Sequence, residues 1–203
     1  MTYLSRIVIG FTLALAVLGT LGPRPSAQPQ DESAVAMDAR LAAATVARVG
    51  PSYLYPNPKV TPGLVNPDIT QANIDQTICN PQWSTKSIRP PVSYTNTLKQ
   101  KQLAQGKSKD KMPSHYEEDH FISLEIGGHP RDPRNLWPEP WGTPAHPLTS
   151  TGPFPAHLVG AKSKDAVENR LHKEVCAGTL TLREAQFIIA TDWFKYYREK
   201  VLK

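Results

Sequence analysis

Apolar and polar positions alternate over one short stretch in the middle of the chain. Between residues 120 and 126 the side chains at 122, 124 and 126 are apolar and would share one face of an extended segment. Gly127 and Gly128 can then turn the chain, and residues 135–137 (Asn-Leu-Trp) can form a short return strand. The pattern predicts a two-stranded hairpin with one buried face.

Helical patterns flank this hairpin on both sides. Helices are predicted over residues 70–78, over 95–105 with Gly106 as the stop, and over 164–175. A last helix follows Thr181, whose hydroxyl can form a capping box with Glu184. Two short strands, a helix behind them and helices at both ends predict an α+β fold.

Proline-rich stretches interrupt the pattern twice. Residues 138–155 contain six prolines and are predicted to form a loop without regular structure. Residues 28–66 are Ala-rich at first and then proline-rich, and they are predicted to form an N-terminal extension. The folded domain is therefore expected to span residues 67–203.

The first 27 residues have the layout of a secretory signal peptide. Arg6 precedes an apolar run over residues 7–21, and small residues and prolines follow up to Ala27. Cleavage there would leave 176 of the 203 residues, enough for one domain with its own core, and an uncleaved membrane anchor is the alternative. We expect a secreted or periplasmic bacterial protein with no stable membrane association after cleavage.

The remaining composition changes this picture little. Cleavage removes two arginines and no acidic residue, so the net charge falls from +5 to +3, which permits a polyanionic partner without indicating one. The only cysteines, Cys79 and Cys176, predict a disulfide in an exported protein. It would close a loop of nearly a hundred residues, a constraint worth on the order of 4–5 kcal/mol. Two buried thiols are the alternative.

Candidate chemistry lies around the predicted hairpin. Asp119 and His120 are adjacent, and Asn135 follows fifteen residues after the histidine. Hydrolysis of a phosphodiester beside a metal ion needs a carboxylate to hold the ion, a base for the attacking water, and a group that orients the base.

These residues, with Gly127 and Gly128 between them, resemble the HNH endonuclease motif, which is also called the ββα-metal finger. The likeness extends to small bacterial and phage HNH-type proteins, and it covers roughly residues 75–198. It is carried by the segments YEEDH (from Tyr116), LEIGG (from Leu124), NLWPE (from Asn135) and ENRLH (from Glu168). The resemblance implies an HNH-like finger braced by flanking helices, with the proline-rich loop inside the finger.

The resemblance also implies roles for individual residues. His120 would be the general base, Asn135 would orient its imidazole by a hydrogen bond, and Asp119 would bind one divalent ion (Mg, Mn, Ni or Zn). His172 would be the second strong ligand, completed by Glu168 or Asn169 from the same helix face. Four basic residues would contact phosphates: Arg131, Arg134, Lys164 and Arg170.

The spacing departs from the compact motif, because His172 lies 37 residues after Asn135. Either the proline-rich loop is an insertion over the site, or His172 is not the ligand. Each residue also has an ordinary interpretation: Asp119 and His120 as a surface pair, Asn135 as a turn cap, and His172 as a helix-face histidine.

Three functions from different classes are consistent with the sequence. The first is an exported metal-dependent endonuclease that cleaves DNA, with RNA as a further candidate substrate, and has little sequence preference. The second is a non-catalytic nucleic-acid-binding relative. The third is an envelope interaction protein that keeps the HNH scaffold. The sequence identifies no protein partner.

Overall fold

The computed structural model describes Arg48, residues 50–155 and residues 157–203. The predicted signal peptide and residues 28–47 lie outside the described residues. The described residues combine helices with one two-stranded antiparallel sheet, which agrees with the predicted α+β class. In this part of the chain no helix is long and apolar enough to cross a membrane.

The sheet is a hairpin of strands β1 (Tyr116–His120) and β2 (Leu136–Pro140). In the antiparallel register His120 lies opposite Leu136, and Glu117 lies opposite Glu139. Directly opposed residues project to the same side of a sheet, and successive residues alternate. Acidic side chains from both strands therefore meet on one face of the hairpin.

The two faces of the hairpin carry different chemistry. Glu117, Asp119 and Glu139 project to one side, whereas Glu118 and His120 project to the other. Residues that are adjacent in the sequence, such as Asp119 and His120, therefore lie in two different environments.

Helices pack around the hairpin. Helix α1 (Val92–Gln105) contacts both strands, and helix α2 (Ala161–Cys176) packs against the turn at Leu124–Ile126. Helices α3 (Leu182–Thr191) and α4 (Trp193–Tyr196) pack on α2. The strand ends therefore lie within a helical frame.

The hydrophobic core lies between α2, α3 and the loop after β1. Phe121, Ile122, Leu171, Ile189 and Trp193 are fully buried there. The core fixes α2 against the hairpin, and this placement determines which side chains of the helix meet the strands.

Residues 50–66, predicted as part of the N-terminal extension, pack onto this core. Leu54 is fully buried, and its carbonyl accepts a hydrogen bond of 3.1 Å from the Trp193 indole. The Gly63 amide donates to the Arg134 carbonyl, and the Asn66 amide donates to the Gly127 carbonyl. This segment is part of the folded domain, because its apolar side chains and amides find partners there.

The predicted strand over residues 120–126 is wrong. Strand β1 ends at His120, and Leu124–Ile126 form a 3-10 turn in which the Ser123 hydroxyl accepts a hydrogen bond from the Glu125 amide. Gly127 then takes a φ of 76°, a conformation that favours glycine. Phe121 and Ser123 are buried along with the apolar residues between and beyond them, so the apparent alternation did not mark a half-exposed strand.

The helix predictions succeeded except for the first. Residues 70–78 contain a 3-10 helix (Gln71–Gln76), while α1 and α2 each begin three residues earlier than predicted. The capping box is confirmed: the Thr181 hydroxyl accepts from the Glu184 amide at 3.2 Å, and the Glu184 carboxylate accepts from the Thr181 amide at 2.8 Å.

The predicted disulfide between Cys79 and Cys176 is present, with a Cα–Cα distance of 5.4 Å. It links the segment after Gln71–Gln76 to the last residue of α2. Its presence agrees with an oxidising compartment.

Candidate functional site

His120 is the last residue of β1 and only 3 % of it is exposed. Its Nε2 lies 2.9 Å from the Pro130 carbonyl oxygen. A carbonyl can only accept, so Nε2 carries the proton and Nδ1 of the neutral ring is left as an acceptor. Burial lowers the pKa of His120 below its usual value, although the Pro130 carbonyl and the Asp119 carboxylate oppose this shift. The imidazole is therefore neutral near pH 7, as a general base must be.

Asn135 holds the loop that carries this carbonyl. Its side chain is fully buried and bonds to the backbone of Ile122 in both directions, accepting from the amide at 2.9 Å and donating to the carbonyl at 3.0 Å. It also donates to the His129 carbonyl at 3.0 Å. Asn135 therefore does not form the expected hydrogen bond to the imidazole. It bonds to the backbone of the loop, and the Pro130 carbonyl of this loop orients the ring.

A cleft of about 280 Å³ opens between α1 and β1 with His120 in its wall. Arg89 and Lys99 also line it, as do Glu118 and Trp141. The sequence did not single out either cation, because Arg89 precedes two prolines and Lys99 lies on a helix without a motif. The packing of α1 and of the segment before it on the hairpin places them in the same cleft as the imidazole.

On the other face of the hairpin, the Lys164 ammonium lies within a group of oxygen atoms. Nζ donates to Asp119 Oδ2 at 2.6 Å, to the His120 carbonyl at 3.1 Å, and to Glu168 Oε1. Glu139 Oε2 is 3.7 Å from Nζ. Lys164 and Glu168 are four residues apart on α2, which places them on one helix face toward the acidic side of the hairpin.

Burial and the ammonium set the charges of this group. Burial alone would raise the pKa of Asp119, but the Lys164 charge lowers it below its usual value, and the surrounding carboxylates raise the pKa of Lys164 despite its burial. Burial raises the pKa of Glu168 to about 8 and that of Glu139 well above its usual value. Near neutral pH Asp119 and Lys164 thus form an ion pair, whereas burial disfavours negative charge on Glu139 and Glu168.

The expected metal ligands are only partly brought together. Asp119 and Glu168 meet at Lys164, and Glu139, which the sequence did not single out, joins them. His172 lies two helical turns beyond Lys164, about 12 Å along the axis, and its Nε2 contacts the Ile78 carbonyl at 2.8 Å. No sequence motif pointed to Glu139, because its partner Lys164 on α2 is distant in the chain.

Asn169, the other proposed ligand from α2, is exposed and donates to the Asp165 carbonyl at 2.8 Å. It does not contact the Lys164 group in the described structure. The ligand set implied by the resemblance is therefore not assembled.

A divalent ion does not fit among Asp119, Glu139 and Glu168 as they stand. Their oxygen atoms are hard donors of the kind that Mg²⁺ and Mn²⁺ prefer. The ammonium of Lys164 already occupies the position between them, and a second cation there would meet strong like-charge repulsion.

A different group could hold a metal ion. The ligand atoms of Cys79, His172 and Cys176 all lie within 4.8 Å of one another. Both sulfur atoms belong to the disulfide, so metal binding would require reduction to thiolates. Two thiolates and an imidazole suit zinc better than magnesium.

The predicted phosphate contacts are not all available. Lys164 is only 1 % exposed and cannot reach a phosphate outside the fold, so this assignment is wrong. Arg134 pairs with Asp132 at 2.7 Å, and Arg170 with Glu174 at 2.6 Å, both at the surface. Arg131 is exposed.

Neither the protein-family models, nor the curated proteins, nor the solved structures that were compared with the chain gave a match. Evidence about function therefore comes from the residues of this chain and from their geometry.

Proposed function

We propose that this protein is an exported endonuclease of the HNH type that hydrolyses phosphodiester bonds of nucleic acid, with DNA as the first candidate substrate. The observation that supports it most is the His120 imidazole, which lines an open cleft with Nε2 bonded to a carbonyl and Nδ1 free to accept a proton.

The elements around His120 fit this proposal. Strands β1 and β2 and helix α2 follow one another in the order of a ββα finger, with the proline-rich segment between β2 and α2. Asn135 links the end of β1 to the loop that carries Pro130. The imidazole is thus held at Nε2 by the Pro130 carbonyl, and Nδ1 is directed away from Pro130.

The reaction would place a water molecule at Nδ1 of His120. The imidazole takes the proton as the water oxygen attacks phosphorus, the bond to the 3′ oxygen breaks, and this oxygen takes a proton from solvent water, so that the products are a 5′ phosphate and a 3′ hydroxyl. Because the base must be neutral, its lowered pKa extends activity to more acidic pH than an ordinary histidine would allow.

The cleft can accommodate the charge of a nucleic-acid backbone. Arg89 and Lys99 provide positive charge in its wall. Burial raises the pKa of Glu118 to about 8, so this carboxyl is mostly protonated at neutral pH and does not repel a phosphate. These side chains, in place of Lys164, are the phosphate contacts that we propose.

The first prediction concerns the base. We expect His120→Ala to lower the rate of plasmid nicking by about 100-fold or more, because the variant lacks the imidazole that we propose as the general base. The measurement is plasmid cleavage by the oxidised mature protein (residues 28–203), with and without EDTA and with each of Mg²⁺, Mn²⁺, Ni²⁺ and Zn²⁺.

His146→Ala is the matched control, because His146 is exposed and does not line the cleft. Near-UV circular dichroism of both variants establishes that the fold is intact. Equal nicking by wild type and His120→Ala would exclude the proposed base.

One observation favours a second candidate, a non-catalytic nucleic-acid-binding relative. The Lys164 ammonium lies where the HNH resemblance would require a metal ion. This candidate predicts that the protein binds DNA without cutting it under all four metal conditions. An envelope interaction protein predicts neither binding nor cutting.

A further inference from the structure

We infer that Lys164 is the resident cation of the carboxylate cluster formed by Asp119, Glu139 and Glu168, and that its ammonium keeps divalent ions out of this site. This inference goes beyond the proposed function and does not rest on it, since it concerns which cation the cluster holds.

The cluster is assembled by three elements around one nitrogen atom. β1 supplies Asp119, β2 supplies Glu139, and α2 supplies both Glu168 and Lys164. The side chains of Lys164 and Glu139 are each only 1 % exposed. Carboxylates and an ammonium are almost never buried this deeply unless they are paired. The ammonium is thus required by the cluster that surrounds it.

The hydrogen bonds of the ammonium are saturated. Its three N–H groups match three acceptors: Asp119 Oδ2, Glu168 Oε1 and the His120 carbonyl oxygen. A magnesium or manganese ion would need these same oxygen atoms as ligands. Because the lysine stem is buried in the fold, the ammonium cannot move aside into water without opening that packing.

Glu139 gives a second and independent indication of a cation site. The residue is 1 % exposed, no N–H or hydroxyl group of the described residues donates to its carboxyl oxygens, and its hydrogen-bonding neighbour is the Asp119 carboxyl. Its Oε2 is directed at the Lys164 nitrogen from 3.7 Å, beyond hydrogen-bonding distance. The ammonium therefore bonds to neither oxygen of Glu139, and a divalent ion could take these oxygens as ligands.

Removal of the ammonium should convert the cluster into a divalent-ion site. Shortening Lys164 would leave three carboxyl groups and the His120 carbonyl around a vacated volume. Four oxygen donors with net negative charge suit Mn²⁺ and Mg²⁺.

The second prediction tests this directly. We expect Lys164→Ala in the oxidised mature protein to bind one Mn²⁺ at least about tenfold more tightly than wild type. The reason is that loss of the ammonium frees the hard oxygen ligands that surround it. Electron paramagnetic resonance of free Mn²⁺ gives the affinity, and the shift of Tm with added Mn²⁺ is a second readout. The added affinity should disappear in Lys164→Ala/Glu139→Gln.

Lys162→Ala is the matched control, since Lys162 lies on the same helix and pairs with Asp165 at the surface. It should behave as wild type does. A folded Lys164→Ala that gains no Mn²⁺ affinity would overturn the inference.

Wild-type protein decides the question even if Lys164→Ala does not fold. Lys164→Ser is the substitute variant, with the same expected gain in affinity. Binding of one Mn²⁺ by wild type that Glu139→Gln abolishes would show that Lys164 does not exclude the ion, whereas absence of such binding supports the inference. Nuclease activity enters none of these measurements, so failure here is distinguishable from failure of the proposed function.

Discussion

Asn135 connects three backbone segments through one amide group. Besides Ile122 and His129, it accepts a weaker bond of 3.4 Å from the Leu64 amide. A hydrophobic side chain could satisfy none of these groups, and water has no access to a residue that is 0 % exposed. The order of the loop at Pro130, and therefore of the His120 ring, depends on this side chain.

The third prediction follows from this. Asn135→Ala leaves several buried backbone groups unsatisfied at about 1–3 kcal/mol each, so we expect it to lower the free energy of unfolding by about 3 kcal/mol or more. Urea denaturation of the oxidised protein measures the change. Asn169→Ala, at an exposed position with one hydrogen bond, should cost less than about 1 kcal/mol. Equal denaturation midpoints for the two variants would refute the structural role given to Asn135.

At this scale the sequence identified Asp119, His120 and Asn135 as candidates because they lie close together in the chain around one hairpin. It did not identify Glu139 as a member of the cluster with Lys164. The partners of Glu139 come from another strand and from a helix, and a pattern along the chain carries no information about such contacts.

At the scale of elements, local chemistry explains why α3 was predicted well. Its start is encoded by two side chains three residues apart, Thr181 and Glu184, which bond to each other's backbone amides. No distant contact is needed for these bonds, so the prediction did not depend on the fold.

The fourth prediction concerns this helix start. Thr181→Ala removes the capping hydroxyl and should lower the free energy of unfolding by about 1 kcal/mol, measured by urea denaturation. Thr151→Ala, at an exposed loop position, is the control and should change it by less than about 0.5 kcal/mol. A loss no greater than that of the control would mean that the capping box does not contribute to stability.

The segment after His120 shows the opposite case. Its apolar residues predicted a strand, yet the chain turns at Ser123 and folds back so that Phe121, Ile122 and Leu124 are all buried. Helices α2 and α3 supply the surfaces that bury them. Periodicity failed here because it assumes one buried face, whereas tertiary packing covered the whole segment.

At the scale of the molecule, the disulfide joins regions 97 residues apart. It fixes the end of α2, the helix that carries Lys164 and Glu168, against the segment that precedes α1. A cross-link that closes such a long loop restricts the unfolded chain more strongly than one that closes a short loop. Stability of the domain is therefore expected to depend on the redox state.

The fifth prediction quantifies this dependence. Reduction of Cys79–Cys176 should lower the free energy of unfolding by on the order of 4–5 kcal/mol, measured by urea denaturation with and without dithiothreitol. The Cys79→Ser/Cys176→Ser variant should match the reduced protein and should not respond to the reductant. Equal stability of oxidised and reduced protein would contradict the expected constraint.

The sequence by itself determined the helix cap at Thr181 and the mixed α+β class, which depend on neighbours in the chain. It also determined the disulfide, because the chain has only two cysteines and each has only the other as a partner. Only the tertiary structure decided that His172 lies beside the disulfide and that Lys164 lies among the carboxylates. The reason is physical: caps and turns form within a few residues, whereas the environment of a buried charge depends on segments that meet only when the core forms.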